Sequence, residues 1–406
     1  MRVLITPMAW PTHYYQMVGL AWALRAAGHD VRVAGQPPLA DAVTGTGIIA
    51  VTAGGGYDII AGIADAVRVR DELARDLNVT GPGQFPPEVL RRLLDLRMVP
   101  HVRTAQDMAE DLVSFAVAWR PDLVVTDPLV YAAPLAAAAV GAPVVRHLWG
   151  PDMSRKVGLP GNGVSVEQDH RAAWPQEMAE LYARYGVEPP ADLAVRTLDT
   201  CPESLQLPGV PNRVAMRYTS YNGAAVAPAW LLEPAERPRI CVTWGSLTTT
   251  MKGEEAFLVP QIVRALAGLD VELILALRAA DRARLGELPS HMRALEGMPL
   301  DLILPTCSAI MHQSGAGSTL TAALHGVPQI TVPQIADQGL VSERLSGTGA
   351  GIALDGDRLE EETVRRAVTE VLDTPGPAEA ARRLRAEMLD QPAPSAIVAD
   401  LEALAG

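Results

Sequence analysis

A proline-rich stretch in the middle of the chain constrains the fold more than any other feature. Residues 221–239, YNGAAVAPAWLLEPAERPR, show no apolar period of 2 or 3.6, and on both sides of them short apolar runs alternate with helical patterns. Such alternation predicts doubly wound α/β sheets, and 406 residues exceed what one core usually holds. We therefore predict two α/β domains, at 1–221 and 240–391, joined by a linker at 222–239 and followed by a helix, about 392–406, that can pack back on the first domain.

Individual elements follow from the apolar pattern on each side of the linker. The predicted strands are 3–6, 31–34, 122–126, 142–148, 240–243, 271–277, 309–311 and 329–332, and the predicted helices are 17–27, 131–140, 254–267, 318–324, 359–373, 376–389 and 395–405. Two segments of the first domain, 54–84 and 150–168, are rich in turn signals, and we expect them to be loops beside an active site.

Composition narrows the class of protein. Apolar residues make up 49% and charged residues 20% of the chain, as in soluble globular proteins, and no run reaches the ~18 apolar residues of a membrane span. The N-terminal MRVLITPMAWPTHYY does not resemble a signal peptide. A net charge of −13 without a basic stripe argues against nucleic-acid and membrane partners, and three widely separated cysteines indicate neither a disulfide framework nor a zinc site. We expect a cytoplasmic protein.

A glycine-rich stretch in the second domain, SAIMHQSGAGSTLTAALHG, is a candidate anion site. Apolar residues 309–311 precede His312 and a helical pattern follows the glycines, which places the loop between a strand end and a helix N-terminus. Unpaired backbone N–H groups there favour an anion. Gly315 and Gly317 would let a phosphate approach the backbone, and Ser318 adds a hydroxyl donor. The spacing fits neither the dinucleotide fingerprint nor a P-loop, and a purely structural turn is the alternative.

An acidic residue and an amide follow about two dozen residues later. In HGVPQITVPQIADQ the pattern indicates a helix stop, a short strand and a turn, which would return Asp337 and Gln338 to the same sheet edge. A carboxylate beside a carboxamide suits the hydroxyl groups of a sugar, since one accepts hydrogen bonds and the other both donates and accepts. The two residues are therefore candidate sugar ligands.

At this point the chain resembles a known family. The stretches LAWALRAAGHDVRVA, CVTWGSL, LPTCSAIMHQSGAGSTLTAALHGVPQ and VPQIADQ are similar to those of inverting GT-B glycosyltransferases, specifically the bacterial enzymes that attach deoxysugars to polyketide, macrolide and anthracycline antibiotics. The resemblance implies two Rossmann-like domains that face each other across a cleft. It also implies that the donor diphosphate is held by His312, Gly315, Gly317, Ser318 and Ser246, that Asp337 and Gln338 contact the sugar, and that Met298 lies near the nucleobase.

Two departures from the family pattern bear on the donor. Gln313 and Ser314 stand where the family often has a second histidine and a glycine, which would make the loop less permissive. Leu320 stands where plant enzymes of the superfamily place a glutamate on the ribose hydroxyls of uridine donors. An apolar residue there fits a deoxyribose, and hence a dTDP-sugar, better than a uridine donor.

His13 is the candidate general base of the first domain. Direct displacement at an anomeric carbon needs a group that takes the acceptor's proton, and the pKa of histidine, ~6.5, suits this task. His13 lies in the loop AWPTHYYQ after the first strand, and a histidine in this loop is the base in the resembling family. Asp127, which ends the strand DLVVT, would orient it. Capping of the next helix is the alternative role for Asp127.

Aromatic residues of the first domain are candidate acceptor ligands. Trp10, Tyr15, His147 and Trp149 could offer a flat apolar wall to a polycyclic or macrocyclic aglycone, although packing into the core is the commoner use of such residues.

The predicted function is inverting transfer of a deoxysugar from a dTDP-sugar to a polyketide-type aglycone. The diphosphate would be stabilised by backbone N–H groups, His312 and hydroxyls, so we expect neither a metal nor another cofactor. A nucleotide-sugar epimerase of the same fold and a non-catalytic sugar-nucleotide binding protein are the alternatives. The resemblance leaves open whether an auxiliary protein related to cytochrome P450 is needed and whether the chain forms a homodimer.

Overall fold

Two parallel β-sheets, one in each half of the chain, organise the computed structural model, which describes residues 1–79, 84–289 and 291–406. The first sheet contains β1 (Arg2–Thr6), β2 (Asp30–Gly35), β3 (Ile49–Thr52), β4 (Leu123–Thr126), β5 (Val144–Leu148), β6 (Arg196–Asp199) and β7 (Arg213–Ala215), in the spatial order β3-β2-β1-β4-β5-β6-β7. The second contains β8 (Arg239–Thr243), β9 (Glu272–Leu277), β10 (Met292–Glu296), β11 (Ala309–His312), β12 (Gln329–Thr331) and β13 (Gly351–Ala353), in the order β10-β9-β8-β11-β12-β13. The predicted doubly wound α/β class is confirmed.

Helices cover both faces of each sheet. Those of the first half are α1 (Pro11–Tyr15), α2 (Val18–Ala26), α3 (Ala40–Thr44), α4 (Ile59–Asp76), α5 (Pro87–Trp119), α6 (Ala133–Val140), α7 (Met153–Lys156) and α8 (Gln176–Arg184). Those of the second half are α9 (Ser246–Lys252), α10 (Val259–Leu266), α11 (Ala279–Arg282), α12 (Leu300–Ile303), α13 (Ala316–His325), α14 (Ala336–Gly347), α15 (Glu361–Asp373), α16 (Pro375–Asp390) and α17 (Pro394–Ala405). Within the described ranges, no helix is both long and apolar enough to cross a membrane.

The strand order places a crevice at the carboxyl edge of each sheet. In the first sheet β1 lies between β2 and β4, and Thr6 at its end pairs with Thr126. The connections leave the two strands in opposite directions, so the loops after them diverge. The same reversal occurs between β8 and β11 in the second sheet. The segments that follow these strands carry the candidate site residues. After β1, His13 lies within the short helix α1 rather than in the predicted loop, Asp127 directly follows β4, Ser246 begins α9 after β8, and the glycine-rich stretch follows β11.

The sequence-based expectation missed the 33-residue α5, and it differs from the structure at residues 54–84. We predicted a loop, but α4 occupies residues 59–76, and Asp58 caps it by accepting a hydrogen bond from the N–H of Ala61 at 3.0 Å. Most of α4 is exposed or half-buried, with Ile59 and Ile60 as its buried residues, so its apolar stripe is short. In the other predicted loop, 150–168, only the four-residue α7 is α-helical.

The end of the chain returns to the first domain. Ile397, Val398 and Leu401 of α17 belong to the same hydrophobic cluster as residues of β1 and α2, and Leu401 is 1% exposed. The connection that leads to α17 is held by Arg217, whose backbone N–H and Nε donate to the carbonyls of Pro392 and Gln391 at 2.7 and 3.1 Å. The chain therefore crosses between the domains a second time, close to the linker.

Two further contacts set how the domains meet. Arg344 of α14 donates to three successive carbonyls of the first domain, those of Ser204, Leu205 and Gln206, at 3.0, 3.2 and 2.8 Å. Gly150, after β5, lies so close to the start of α13 that a Cβ on it would be 2.9 Å from the Cβ of Ala316. The N-terminal turn of α13 therefore faces the first domain directly.

Replacement of Leu401 by alanine tests the packing of α17. Because the side chain is buried, we expect the variant to lose about 2–5 kcal/mol of unfolding free energy. Urea unfolding followed by circular dichroism measures it. Leu389→Ala, at an exposed position of α16, is the matched control and should change stability by less than about 0.5 kcal/mol. Equal losses of stability in the two variants would contradict the packing of α17 against the first domain.

Candidate active site

His13 and Asp127 meet at the carboxyl edge of the first sheet. The imidazole Nδ1 lies 2.6 Å from Asp127 Oδ2, and the other carboxylate oxygen accepts the backbone N–H of Leu129 at 2.8 Å. The carboxylate is fully buried, while the imidazole is 14% exposed. A carboxylate bound to Nδ1 fixes the tautomer in which Nδ1 carries the proton, which leaves Nε2 as the basic nitrogen. Asp127 can therefore orient His13 and also accept the backbone N–H of Leu129 in the turn that follows β4.

His312 lies at the end of β11 and is engaged entirely within the protein. Its Nδ1 accepts the backbone N–H of Ser314 at 3.1 Å, and its Nε2 lies 2.9 Å from Gln329 Oε1. The amide of Gln329 in turn donates to the carbonyl of Thr319 at 3.1 Å. Burial lowers the pKa of His312 to about 4, so the ring is neutral. The geometry favours a role in shaping the loop, and the direct diphosphate contact that we predicted for His312 stays a prediction.

The N-terminus of α13 has no capping side chain. Gly315 is the N-cap and supplies no side chain, and Gly317 and Ser318 lie in the first turn. Ser314, immediately before the cap, has a φ of +67°, a conformation that costs non-glycine residues about 1–2 kcal/mol. Its side chain is completely buried, and its hydroxyl has no hydrogen-bond partner among the described residues. The loop thus presents backbone N–H groups where an anion is favoured.

Gln313, the other departure from the family pattern, ties this loop to α9. Its Oε1 accepts the N–H of Gly245 at 2.7 Å, and its Nε2 donates to Gln334 Oε1 at 3.3 Å. Gly245 is the N-cap of α9, which begins with Ser246. The backbone of Ser246 therefore lies beside the glycine-rich loop, although its side chain is outside the part of the structure that is described.

Asp337 and Gln338 lie in the first turn of α14. Gln338 is buried, with Oε1 accepting the N–H of Gln334 at 3.0 Å and Nε2 donating to Thr248 Oγ1 at 2.8 Å. Asp337 is half-buried, and its pKa is raised because desolvation outweighs the opposing influence of backbone N–H groups and of His13. His13 of the first domain is among the groups that influence the pKa of Asp337, so the two residues lie in the same region between the domains.

Two residues predicted near the nucleoside differ in their surroundings. Met298 follows β10 and packs at the edge of a cluster that includes Leu300 and Ile303. Leu320 is 1% exposed and packs with Cys201 and Leu205 of the first domain. The side chain of Leu320 is therefore part of the domain contact, and its apolar character does not by itself indicate a deoxyribose donor.

The candidate acceptor residues are only partly brought together. The Trp149 ring lies 5.1 Å from that of His13, whereas Tyr15 packs 5.1 Å from Tyr221 of the linker region. Trp10 packs against a first-domain cluster that also receives Leu247 from α9. His147 is 0% exposed and lies in β5, every residue of which is buried, so its predicted place in an acceptor pocket stays a prediction.

Sequence reasoning missed the residues that support the site. Gln329 begins β12 and Gln334 lies in the segment after that strand, and no motif predicted that they would meet His312 and Gln313. Gln16, the buried C-cap residue of α1, was also missed. The signal that could have found it is its spacing of three residues from His13, which places both on one helical face.

Comparison with known proteins identifies the relatives of the chain. Residues 22–245 match the N-terminal domain, and residues 260–404 the C-terminal domain, of a family described as erythromycin biosynthesis protein CIII-like. The chain is 39% identical to 10-deoxymethynolide desosaminyltransferase of Streptomyces venezuelae, across 100% of this chain and 97% of the relative. It is 36% identical to aklavinone 7-beta-L-rhodosaminyltransferase of Streptomyces galilaeus, across 94% and 90%.

Solved structures show the same architecture. Spinosyn rhamnosyltransferase SpnG complexed with thymidine diphosphate has a TM-score of 0.80 and 30% identity, and the match covers 99% of this chain and 100% of that one. The glycosyltransferase VinC in complex with dTDP also has a TM-score of 0.80 and 30% identity, with 100% and 99% covered. These matches confirm the predicted GT-B fold.

Replacement of Ser314 by glycine should stabilise the protein. Glycine adopts a positive φ without steric cost and removes a buried hydroxyl that has no partner, so we expect a gain of about 1 kcal/mol in unfolding free energy. Urea unfolding measures it. Asn212→Gly, at an exposed position with a φ of +47°, is the control and should gain less. A loss of stability in the Ser314 variant would show that the hydroxyl is stabilising.

Buried histidines should make the protein sensitive to mild acid. Burial lowers the pKa of His101, His147 and His312 to about 4, against ~6.5 when unfolded. Between these values the unfolded chain binds more protons, so stability is complete above pH ~6.5 and falls toward pH 4, by roughly 1–2 kcal/mol per histidine at pH 5. Unfolding at pH 7 and pH 5 measures the change, and His147→Gln should reduce it. The control, His170→Gln, alters an exposed side chain and should leave the change intact; an equal reduction would contradict the prediction.

Proposed function

Since the chain belongs to the erythromycin biosynthesis protein CIII-like family, we propose that it transfers a deoxysugar from a dTDP-sugar to a polyketide-type aglycone with inversion at the anomeric carbon. The chain is a nucleotide-sugar glycosyltransferase, as its relatives and its fold establish. The observation that carries the finer proposal is the 2.6 Å contact between His13 Nδ1 and Asp127 Oδ2 at the edge of the interdomain cleft.

The proposed reaction is a single displacement. His13 Nε2 takes the proton of the acceptor hydroxyl as its oxygen attacks the anomeric carbon, and the bond from that carbon to the diphosphate oxygen breaks on the opposite side. The carboxylate of Asp127 stabilises the imidazolium that forms. Attack opposite the leaving group inverts the configuration of the sugar.

The opposite wall of the cleft suits the leaving group. The first turn of α13 offers backbone N–H groups without a capping side chain, and these favour the negative charge that develops on the diphosphate. This arrangement supports transfer without a metal or another cofactor. His13 lies near enough to Asp337 to lower its pKa, which supports the proposal that Asp337 and Gln338 line the position of the sugar.

The proposed nucleotide and acceptor rest on the relatives. SpnG and VinC bind thymidine diphosphate and dTDP in their solved structures, which supports a thymidine-diphosphate donor. Two of the relatives are named as transferases that act on 10-deoxymethynolide and aklavinone. A bulky, largely apolar aglycone therefore fits best, and the Trp149 ring beside His13 offers a surface for it.

Replacement of His13 by alanine should abolish most of the transfer. The loss of a positioned base lowers rates by about 10²–10⁴, whereas dTDP affinity should be unaffected because His13 is proposed to act on the acceptor hydroxyl and not on the diphosphate. The measurement is mass-spectrometric detection of product from a panel of dTDP-deoxysugars and aglycones, with dTDP binding followed by calorimetry. His170→Ala is the control. Transfer by the His13 variant at the parental rate would exclude it as the base.

A further inference from the structure

Gln16 lies on the same helical face as the proposed base. It is the C-cap residue of α1, three positions after His13, so the two side chains project in similar directions. Unlike His13, it is nearly buried, at 6% exposed, although it carries a polar carboxamide. No hydrogen-bond partner for its Oε1 lies within the described ranges. Leaving a buried acceptor unpaired is unfavourable, which indicates that something else satisfies it.

The carboxamide extends from the first domain to the N-terminus of α13 in the second. Its Nε2 lies so near Gly317 that a Cβ on that residue would be 3.2 Å away. Gly317 belongs to the first turn of α13, whose N-cap Gly315 provides no side chain. The amide therefore lies beside the first turn of α13, whose backbone N–H groups are proposed to receive the diphosphate.

A second buried polar group without a partner lies beside the same helix N-terminus. The hydroxyl of Ser314, in the loop that leads into α13, is also buried and without a partner in the described part of the chain. Two unsatisfied groups, one from each domain, thus border a single helix N-terminus. A ligand with oxygen acceptors and hydroxyl donors would complete both, since a carboxamide and a hydroxyl can each donate and accept.

We propose that Gln16 is a donor-binding residue supplied by the first domain. Its Nε2 donates to an oxygen of the donor's diphosphate, and its Oε1 accepts from a hydroxyl of the transferred sugar. This rests on the proposed function, which places the diphosphate at α13. Because His13 is one helical turn away, the contact at Gln16 also sets the distance between the base and the anomeric carbon.

Three substitutions separate the parts of this proposal. Gln16→Ala removes both contacts, Gln16→Met keeps the side-chain length without polar atoms, and Gln16→Glu replaces the donor by a carboxylate. We expect the first two to weaken dTDP binding about tenfold and the third to weaken it further, because a carboxylate repels the diphosphate. The donor KM should rise and kcat should fall, while the acceptor KM stays unchanged.

Calorimetry with dTDP and with thymidine identifies the contact. Thymidine lacks the diphosphate, so its affinity should be the same in all variants if Gln16 acts on that group. Gln176→Ala, at an exposed position of α8, is the control and should bind dTDP like the parent. Parental dTDP affinity in the alanine and glutamate variants would overturn the proposal, and so would an equal loss for thymidine and dTDP. Failure of the parent to bind dTDP would instead refute the proposed donor.

Discussion

The pairing of β1 with β4 is the contact on which the candidate site depends. The two strands are adjacent although more than a hundred residues separate them, and their carboxyl ends meet at Thr6 and Thr126. The next residues of each connection contribute a histidine and an aspartate that no local sequence could have brought together. Because the strands are buried on both faces, the sheet resists displacement of its edge. His13 and Asp127 are thus positioned by the core rather than by a mobile loop.

The donor side follows a different principle. Its shape comes from a chain of buried amides and one neutral imidazole, in which Gln329 holds His312 and Gln313 holds the start of α9. Each polar group in this chain has a partner, which makes the loop rigid without a metal or a disulfide. Beside this loop, two buried groups have no hydrogen-bond partner among the described residues: Gln16 Oε1 from the first domain and the hydroxyl of Ser314.

The sequence predicted the parts that local patterns control. Buried parallel strands such as β1 and β4 are continuous apolar runs, and the loops after them hold the chemically active residues, so fold class and candidate base could be inferred together. α4 was missed because most of its surface is exposed and its apolar stripe is short. The contact between His312 and Gln329 was missed because a side-chain hydrogen bond between neighbouring strands leaves no periodic pattern in the sequence. Leu320 shows the limit of matching a residue to a family by its position alone. The match suggested a place near the ribose, but the side chain packs in the contact between the domains.

The return of α17 to the first domain has a mechanical consequence. Two segments join the halves: the linker and the short connection between α16 and α17. Arg217, which lies between β7 and the linker, holds that short connection through its hydrogen bonds to Gln391 and Pro392. Bodies joined at two neighbouring points swing about the line through those points and resist sliding or twisting. Opening of the cleft to release product should thus be a rotation about this one axis. The imidazole of His13 and the start of α13 would move apart and return to the same relative position.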